Sequence, residues 1–306
     1  MEITLKQPYS FYQIGKRGNQ EDARFPDENM PQGCQPVFVV CDGVGGQDKG
    51  EVASRTVADA IGEYMHRFDL SQPFTRDDFS RVLKHAYSAV EKKMTRDTRG
   101  MATTMTFVCF SASGVFCAHI GDSRIYQIRP EVGIMYRSED HSLVNALVHS
   151  GNITPEEAID HPQSNIITRC IGYVESDQEP SAATALQITD VEAGDYFFLC
   201  TDGVLHCLDD DAIYDIISSS IPDADKIRRM ADLCRFSSDN NTAFLIGVEG
   251  VDREGSAQIE EDEDHVDNSD STTSPIEVEM DRVWEVSPAV AKEGNPISRF
   301  FKNLFS

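Results

Sequence analysis

Apolar and polar positions along this chain fall into blocks with two different periods. Runs rich in Val, Phe, Thr and Ile at 37–42, 103–110, 115–120, 124–129 and 196–200 predict strands, and 9–14 and 242–248 add two more. The polar link Ser111-Ala112-Ser113-Gly114 between the second and third of these predicts a hairpin. From 51 to 68, Ala53, Val57, Ala60, Ile61, Tyr64, Met65 and Phe68 recur at helical spacing and form one apolar stripe. From 75 to 95, Phe79, Val82, Leu83, Ala86, Val90 and Met94 do the same, with Thr75 as a candidate N-cap. The two helices are followed by strands with no helix between them. That order predicts an α+β fold, with antiparallel strands and helices on the outside of the sheets.

Between 138 and 179 the chain is polar, with short helical pieces at 142–150 and 154–157. An insertion of this length predicts a lid or substrate-facing flap.

Three of the predicted strands deliver an aspartate at one end: Asp42 in CDGVGG, Asp122 in GDSR and Asp202 in TDGV. A single Asp-Gly loop is ordinarily a turn. Repetition changes the picture, and two more acidic features join it: Glu21 with Asp22 near the N-terminus, and Asp239 before the last strand. Clustered carboxylates repel and raise one another's pKa, a cost that a divalent cation removes. Hard cations such as Mg²⁺ and Mn²⁺ take oxygen donors, and a glycine such as Gly43 lets a backbone carbonyl come close. No GxxxxGK[ST] pattern accounts for the glycines as a phosphate loop.

Composition narrows the function. With 306 residues, 40% of them hydrophobic, the chain can bury a sizeable core. A net charge of −25 argues against nucleic-acid binding, which needs a basic face. Roughly half of that charge lies between 249 and 281, a stretch with almost no apolar content that is expected to be disordered. The eight cysteines show no CxxC pair, and Cys41, Cys109, Cys117 and Cys200 sit in apolar runs as core residues. No stretch has the length of a membrane span and the start lacks a secretory pattern, so a cytoplasmic protein is expected. The expected division is a catalytic domain over 1–249, an acidic linker over 250–281 and a C-terminal tail over 282–306. In that tail Ile297, Phe300, Phe301, Leu304 and Phe305 fall at helical spacing. This predicts a docking peptide for a partner such as a kinase or scaffold, the alternatives being docking on its own domain or disorder.

GKRGNQED, FVVCDGVGG, MATT, HIGDSR, FFLCTDGV and SSDNNT, in this order, resemble the motifs of the metal-dependent, type 2C serine/threonine protein phosphatases, in a bacterial-like form. The resemblance covers nearly all of 10–249. It implies a sandwich of two mainly antiparallel β-sheets flanked by α-helices, with the metal site in a cleft at one end. It also implies hydrolysis of phosphoserine and phosphothreonine monoesters on proteins by a hydroxide bridging two Mn²⁺ or Mg²⁺ ions, without a covalent phosphoenzyme. Asp42 resembles the bridging aspartate, and Gly43 the residue giving its carbonyl to one ion. Asp202 and Asp239 match the carboxylates of the other ion, and Glu21 and Asp22 the N-terminal acidic pair. Asp122 matches a ligand of the third ion seen in many members. Arg17 resembles the arginine that grips the substrate phosphate, a task suited to a planar guanidinium.

The resemblance departs at Val44, where some members carry a histidine proposed to protonate the leaving alcohol. His141 and His161 are substitutes to consider, but a DHS turn gives His141 a structural role, and a metal-bound water is the expected proton donor. Two other readings share the fold: a regulatory pseudophosphatase, and a phosphatase-like domain acting on an anti-sigma-type partner. The complete carboxylate set argues against the first. A monomer is expected.

Overall fold

The computed structural model describes residues 1–27, 35–44, 49–95, 98, 100–159, 161–174, 178–253 and 283–288. Among the described residues, strands gather into two sheets. The first contains β1 (Glu2–Leu5), β2 (Tyr9–Gln13), β8 (Arg124–Arg129), β9 (Gly133–Arg137), β12 (Tyr196–Cys200) and β13 (Asn241–Asp252). The second contains β3 (Asp22–Phe25), β4 (Val37–Val44), β5 (Ala102–Thr103), β6 (Met105–Ser111), β7 (Gly114–Ile120), β10 (Ile171–Gly172), β11 (Ala183–Ile188) and β14 (Val283–Val286). Every strand pair is antiparallel.

The period-2 alternation of side chains explains why the central strands are apolar on both faces. On β4, Phe38 and Val40 point between the sheets, where they meet Val108, Phe110, Phe197 and Phe244. Val37, Val39 and Cys41 point the other way, into a core shared with α1 (Gly50–Met65) and α2 (Arg76–Lys93). On β12, Phe197 and Leu199 face the inter-sheet core. Tyr196, Phe198 and Cys200 face a third core, closed by α5 (Asp202–Leu205), α6 (Asp210–Ser218) and α7 (Asp223–Cys234). The result is the α+β class that the order of elements predicts, built as the sandwich with flanking helices that the family resemblance implies.

Local expectations hold in detail. Thr75 caps α2 in a reciprocal capping box with Asp78. The β6–β7 hairpin closes on Ser111 opposite Gly114, whose φ of +106° suits glycine. In the polar stretch after 138, α3 (Leu143–His149) is capped by Ser142, and α4 (Pro155–Ile159) follows.

The C-terminal expectation needs correction. β13 continues through Asp252, past the boundary drawn at 249. The start of the predicted tail returns to the sheet: β14 pairs with β11, Ala183 opposite Val286 and Leu186 opposite Val283. Val286 is buried, Trp284 packs on the helix-side core, and Glu285 bonds Arg169 and Thr184. Residues 254–282, and the apolar 297–305 segment, lie outside the described residues.

Candidate metal centre

Strand alternation carries the acidic residues to one place. Two positions beyond Val40 on β4, Asp42 lies on the face that points between the sheets. Its register partner across β3–β4 is Asp22, so the two side chains share that face. The opposite sheet closes over them: Thr201 and Thr242 hydroxyls donate to Asp22 Oδ2 at 3.0 and 2.7 Å. Asp22 is 3% exposed, and its other oxygen, Oδ1, has no hydrogen-bond partner. The MATT segment fixes the backbone beside it. Asp42 N–H donates to Thr104 Oγ1 at 2.9 Å, while Thr104 N–H and Thr103 Oγ1 each donate to the Asp42 carbonyl at 2.8 Å.

Gly43 lies where β4 meets the start of α1. A Cβ there would collide with the Gly50 backbone and stand 2.5 Å from the Glu21 carbonyl, which accepts from Gly43 N–H. Close packing alone therefore demands this glycine. Gly203 is constrained in the same way, because a Cβ would strike the Asn240 carbonyl. That contact brings Asp202, at the start of α5, against the loop bearing Asp239. Asn240 then ties this loop to the N-terminal motif: its side chain donates to the Ile14 and Asn19 carbonyls and accepts from Glu21 N–H, at 2.9, 2.9 and 2.8 Å.

The electrostatics follow from this crowding. Burial, then the charges of Asp22, Asp202 and Asp122, push the Asp42 carboxyl well above the ordinary carboxylate range. Burial pushes Asp22 up to about 8 despite its two threonine bonds, with Asp202 and Asp239 adding repulsion. Asp122 rises to about 7, through burial and then Asp202. Asp202 is raised by burial, and it lies close enough to Asp42 to hydrogen-bond with it. Glu21 is raised by burial and by Glu51. Arg17 forms an ion pair with Asp239 at 2.5 Å, with its own side chain 52% exposed.

Five aspartates, two of them with a buried oxygen that has no hydrogen-bond partner (Asp22 Oδ1 and Asp202 Oδ1), form an all-oxygen donor set short of positive charge. These residues fit hard divalent cations. All eight residues singled out from the sequence fall in this region. Sequence reasoning missed the two threonines that hold Asp22, the clamp made by Asn240, and His206, whose Nε2 stands 3.8 Å from Asp202 Oδ2. The threonine and asparagine roles depend on the two sheets meeting, which no local pattern announces.

GDSR is also a structural anchor. Arg124 binds Asp140 through two bonds of 2.7 and 2.8 Å, and Ser123 Oγ lies 2.7 Å from Thr104 Oγ1. His141 spends both ring nitrogens on structure: Nδ1 accepts from Gly121 N–H and Nε2 meets Thr184 Oγ1. It stacks on His119 with ring centroids 4.5 Å apart, and burial with that neighbour pushes its pKa down to about 2. His141 is therefore a neutral brace.

The two-sheet fold is one that solved serine/threonine phosphatases share. The profile described as Protein phosphatase 2C matches residues 21–240, and the chain belongs to that family. It is 33% identical over 246 residues to the protein phosphatase PhpP of Streptococcus pneumoniae, covering 78% of this chain and 96% of that one. The structure of the Streptococcus agalactiae serine/threonine phosphatase superposes with a TM-score of 0.69 at 30% identity, over 80% of this chain and all of that one. The catalytic domain of the serine/threonine phosphatase PstP in complex with two manganese ions superposes with a TM-score of 0.63 at 26% identity, over 81% and 100% of the two chains. Among the described residues, no helix is long and apolar enough to cross a membrane.

Proposed function

We propose that this chain hydrolyses phosphoserine and phosphothreonine monoesters on proteins, using two divalent cations, Mn²⁺ or Mg²⁺, held by Asp22, Asp42, Gly43, Asp202 and Asp239. The observation that carries the reading is the pair of buried, unpartnered oxygens, Asp22 Oδ1 and Asp202 Oδ1, inside a cluster of mutually repelling carboxyls. Cations bound there supply a water of lowered pKa as the nucleophile toward phosphorus. Glu21 lies at the rim to hold ordered water, and Asp122 stands beside Asp202 as donor to a third ion.

The remaining work falls to the protein. Asp42, lying near both Asp22 and Asp202, would hold cations together with them, and the threonine bonds fix the rotamer of Asp22. Arg17 pairs with Asp239 at the rim of the cluster. Its exposed guanidinium would also reach a substrate phosphate at the rim and offset charge where it develops. A cysteinyl-phosphate route is disfavoured at Cys41, next to the centre, because burial and the nearby Asp22 and Asp42 push its thiol upward. The complete donor set speaks for an active enzyme over a pseudophosphatase. The protein works in the cytoplasm as a monomer, with the 297–305 segment as a docking peptide for a kinase or scaffold.

The discriminating experiment is Asp42→Asn assayed on a phosphothreonine peptide with Mn²⁺. Loss of the Asp42 charge lowers turnover by ~100-fold or more, with the circular dichroism spectrum unchanged. Wild-type kcat/KM in this variant would refute the assignment.

A further inference from the structure

One residue at the centre belongs to none of the motifs. His206 caps the C-terminal end of α5, one helical turn after Asp202, and its backbone N–H bonds the Asp202 carbonyl at 2.9 Å. A ring nitrogen of His206, a carboxylate oxygen of Asp202 and one of Asp239 all lie within 4.8 Å of one another. An i,i+4 pairing on a helix would bring His206 to Asp202 by itself. It does not explain why Asp239, from the loop before β13, converges on the same point. Nor does it use the buried Asp202 Oδ1, which has no hydrogen-bond partner.

We propose that His206 is a nitrogen ligand of the cation held by Asp202 and Asp239, giving that ion a mixed nitrogen and oxygen donor set. The inference rests on the reading of the acidic cluster as a cation centre and specifies one ion within it. Donors about 2.1 Å from one octahedral ion stand roughly 3–4.2 Å apart, so small rotations close this trio around an ion. The His206 side chain is 37% exposed and has room for that rotation.

The chemical consequence is selectivity. Magnesium binds oxygen and gains little from imidazole, whereas manganese and the later first-row ions accept it readily. His206 therefore tilts this position away from Mg²⁺ and toward Mn²⁺. The other ion, held by Asp22, Asp42 and the Gly43 carbonyl, keeps an oxygen-only set.

The test is pulsed electron paramagnetic resonance on the full-length protein titrated with Mn²⁺, beside His206→Ala and a wild-type sample with ¹⁵N-labelled histidine. The expected result is a ¹⁴N coupling in the wild type, replaced by a ¹⁵N pattern on labelling and absent in His206→Ala. Calorimetric competition should show the Mn²⁺ over Mg²⁺ preference falling about tenfold in the variant. Mn²⁺ bound without nitrogen coupling, or with coupling that survives His206→Ala, overturns the inference and leaves the cation centre standing. Failure of the wild type to bind Mn²⁺ overturns both. If His206→Ala misfolds, His206→Gln takes its place: the ¹⁴N coupling should again be absent, and its survival overturns the inference.

Discussion

Asp22 and Asp42 are register partners across β3–β4, two carboxylates side by side where the sheets meet. Without a cation this pairing is destabilising, and its pH dependence has a definite sign. In the unfolded chain both groups ionise near pH 4. In the folded chain Asp22 is pushed up to about 8, Asp122 to about 7, and Asp42 well above its ordinary value, by burial first and by one another second. Between about pH 4 and 8 the folded, metal-free protein thus holds protons that the unfolded chain has lost, and stability falls as pH rises through that window.

Bound cations ionise these groups and remove the slope. At fixed free Mn²⁺, the rise in melting temperature over a chelator control should be larger at pH 8 than at pH 6. Differential scanning calorimetry checks this. An equal or smaller rise at pH 8 would mean that the cations bind elsewhere.

Arg17 tests the division of labour at the rim. Its pairing with Asp239 is solvent-exposed on the arginine side, so removing it costs the fold little. Arg17→Ala should raise KM for a phosphopeptide roughly 10- to 100-fold, the worth of a charge-assisted contact. Mn²⁺ affinity should be unchanged or slightly higher, because Asp239 loses a competitor. Steady-state kinetics with calorimetry separates the two effects, and an unaltered KM would remove Arg17 from phosphate binding.

The returning C-terminal strand makes a structural prediction. Val286 is 3% exposed, and β14 covers the edge of β11. Truncation after 288 should leave the melting temperature unchanged. Truncation after 253 should lower it by at least about 3 °C, since buried apolar area and an ion pair are lost. The bared edge of β11 should also promote association, visible by light scattering. Equal melting temperatures for the two truncations would show that β14 contributes nothing.

Much of this architecture was legible because the central strands carry their apolar signal on both faces. β4, β6, β7 and β12 read as largely apolar runs, and α1 and α2 as stripes with a clean cap at Thr75. β3 escaped notice because its four residues, DARF, mix charge with apolar side chains, and their burial comes from β4 and α1. β14 sits in an acidic neighbourhood whose composition says nothing of a strand. α6 and α7 did leave a signal, with Asp209 as N-cap and Ile213, Ile216 and Ile217, then Ile227, Met230 and Cys234, at helical spacing. At the site, the aspartates were legible because each ends a strand or opens a loop. Thr201, Thr242 and Asn240 were not, because their partners lie some 180 to 225 residues away in sequence.

The most direct test of the central claim is phosphate release from a phosphothreonine peptide by full-length protein stripped with chelator, followed as Mn²⁺ is titrated back. The carboxylate centre predicts no measurable turnover in the stripped protein, and recovery that saturates as two ions bind per chain. Undiminished turnover after exhaustive metal removal would contradict it.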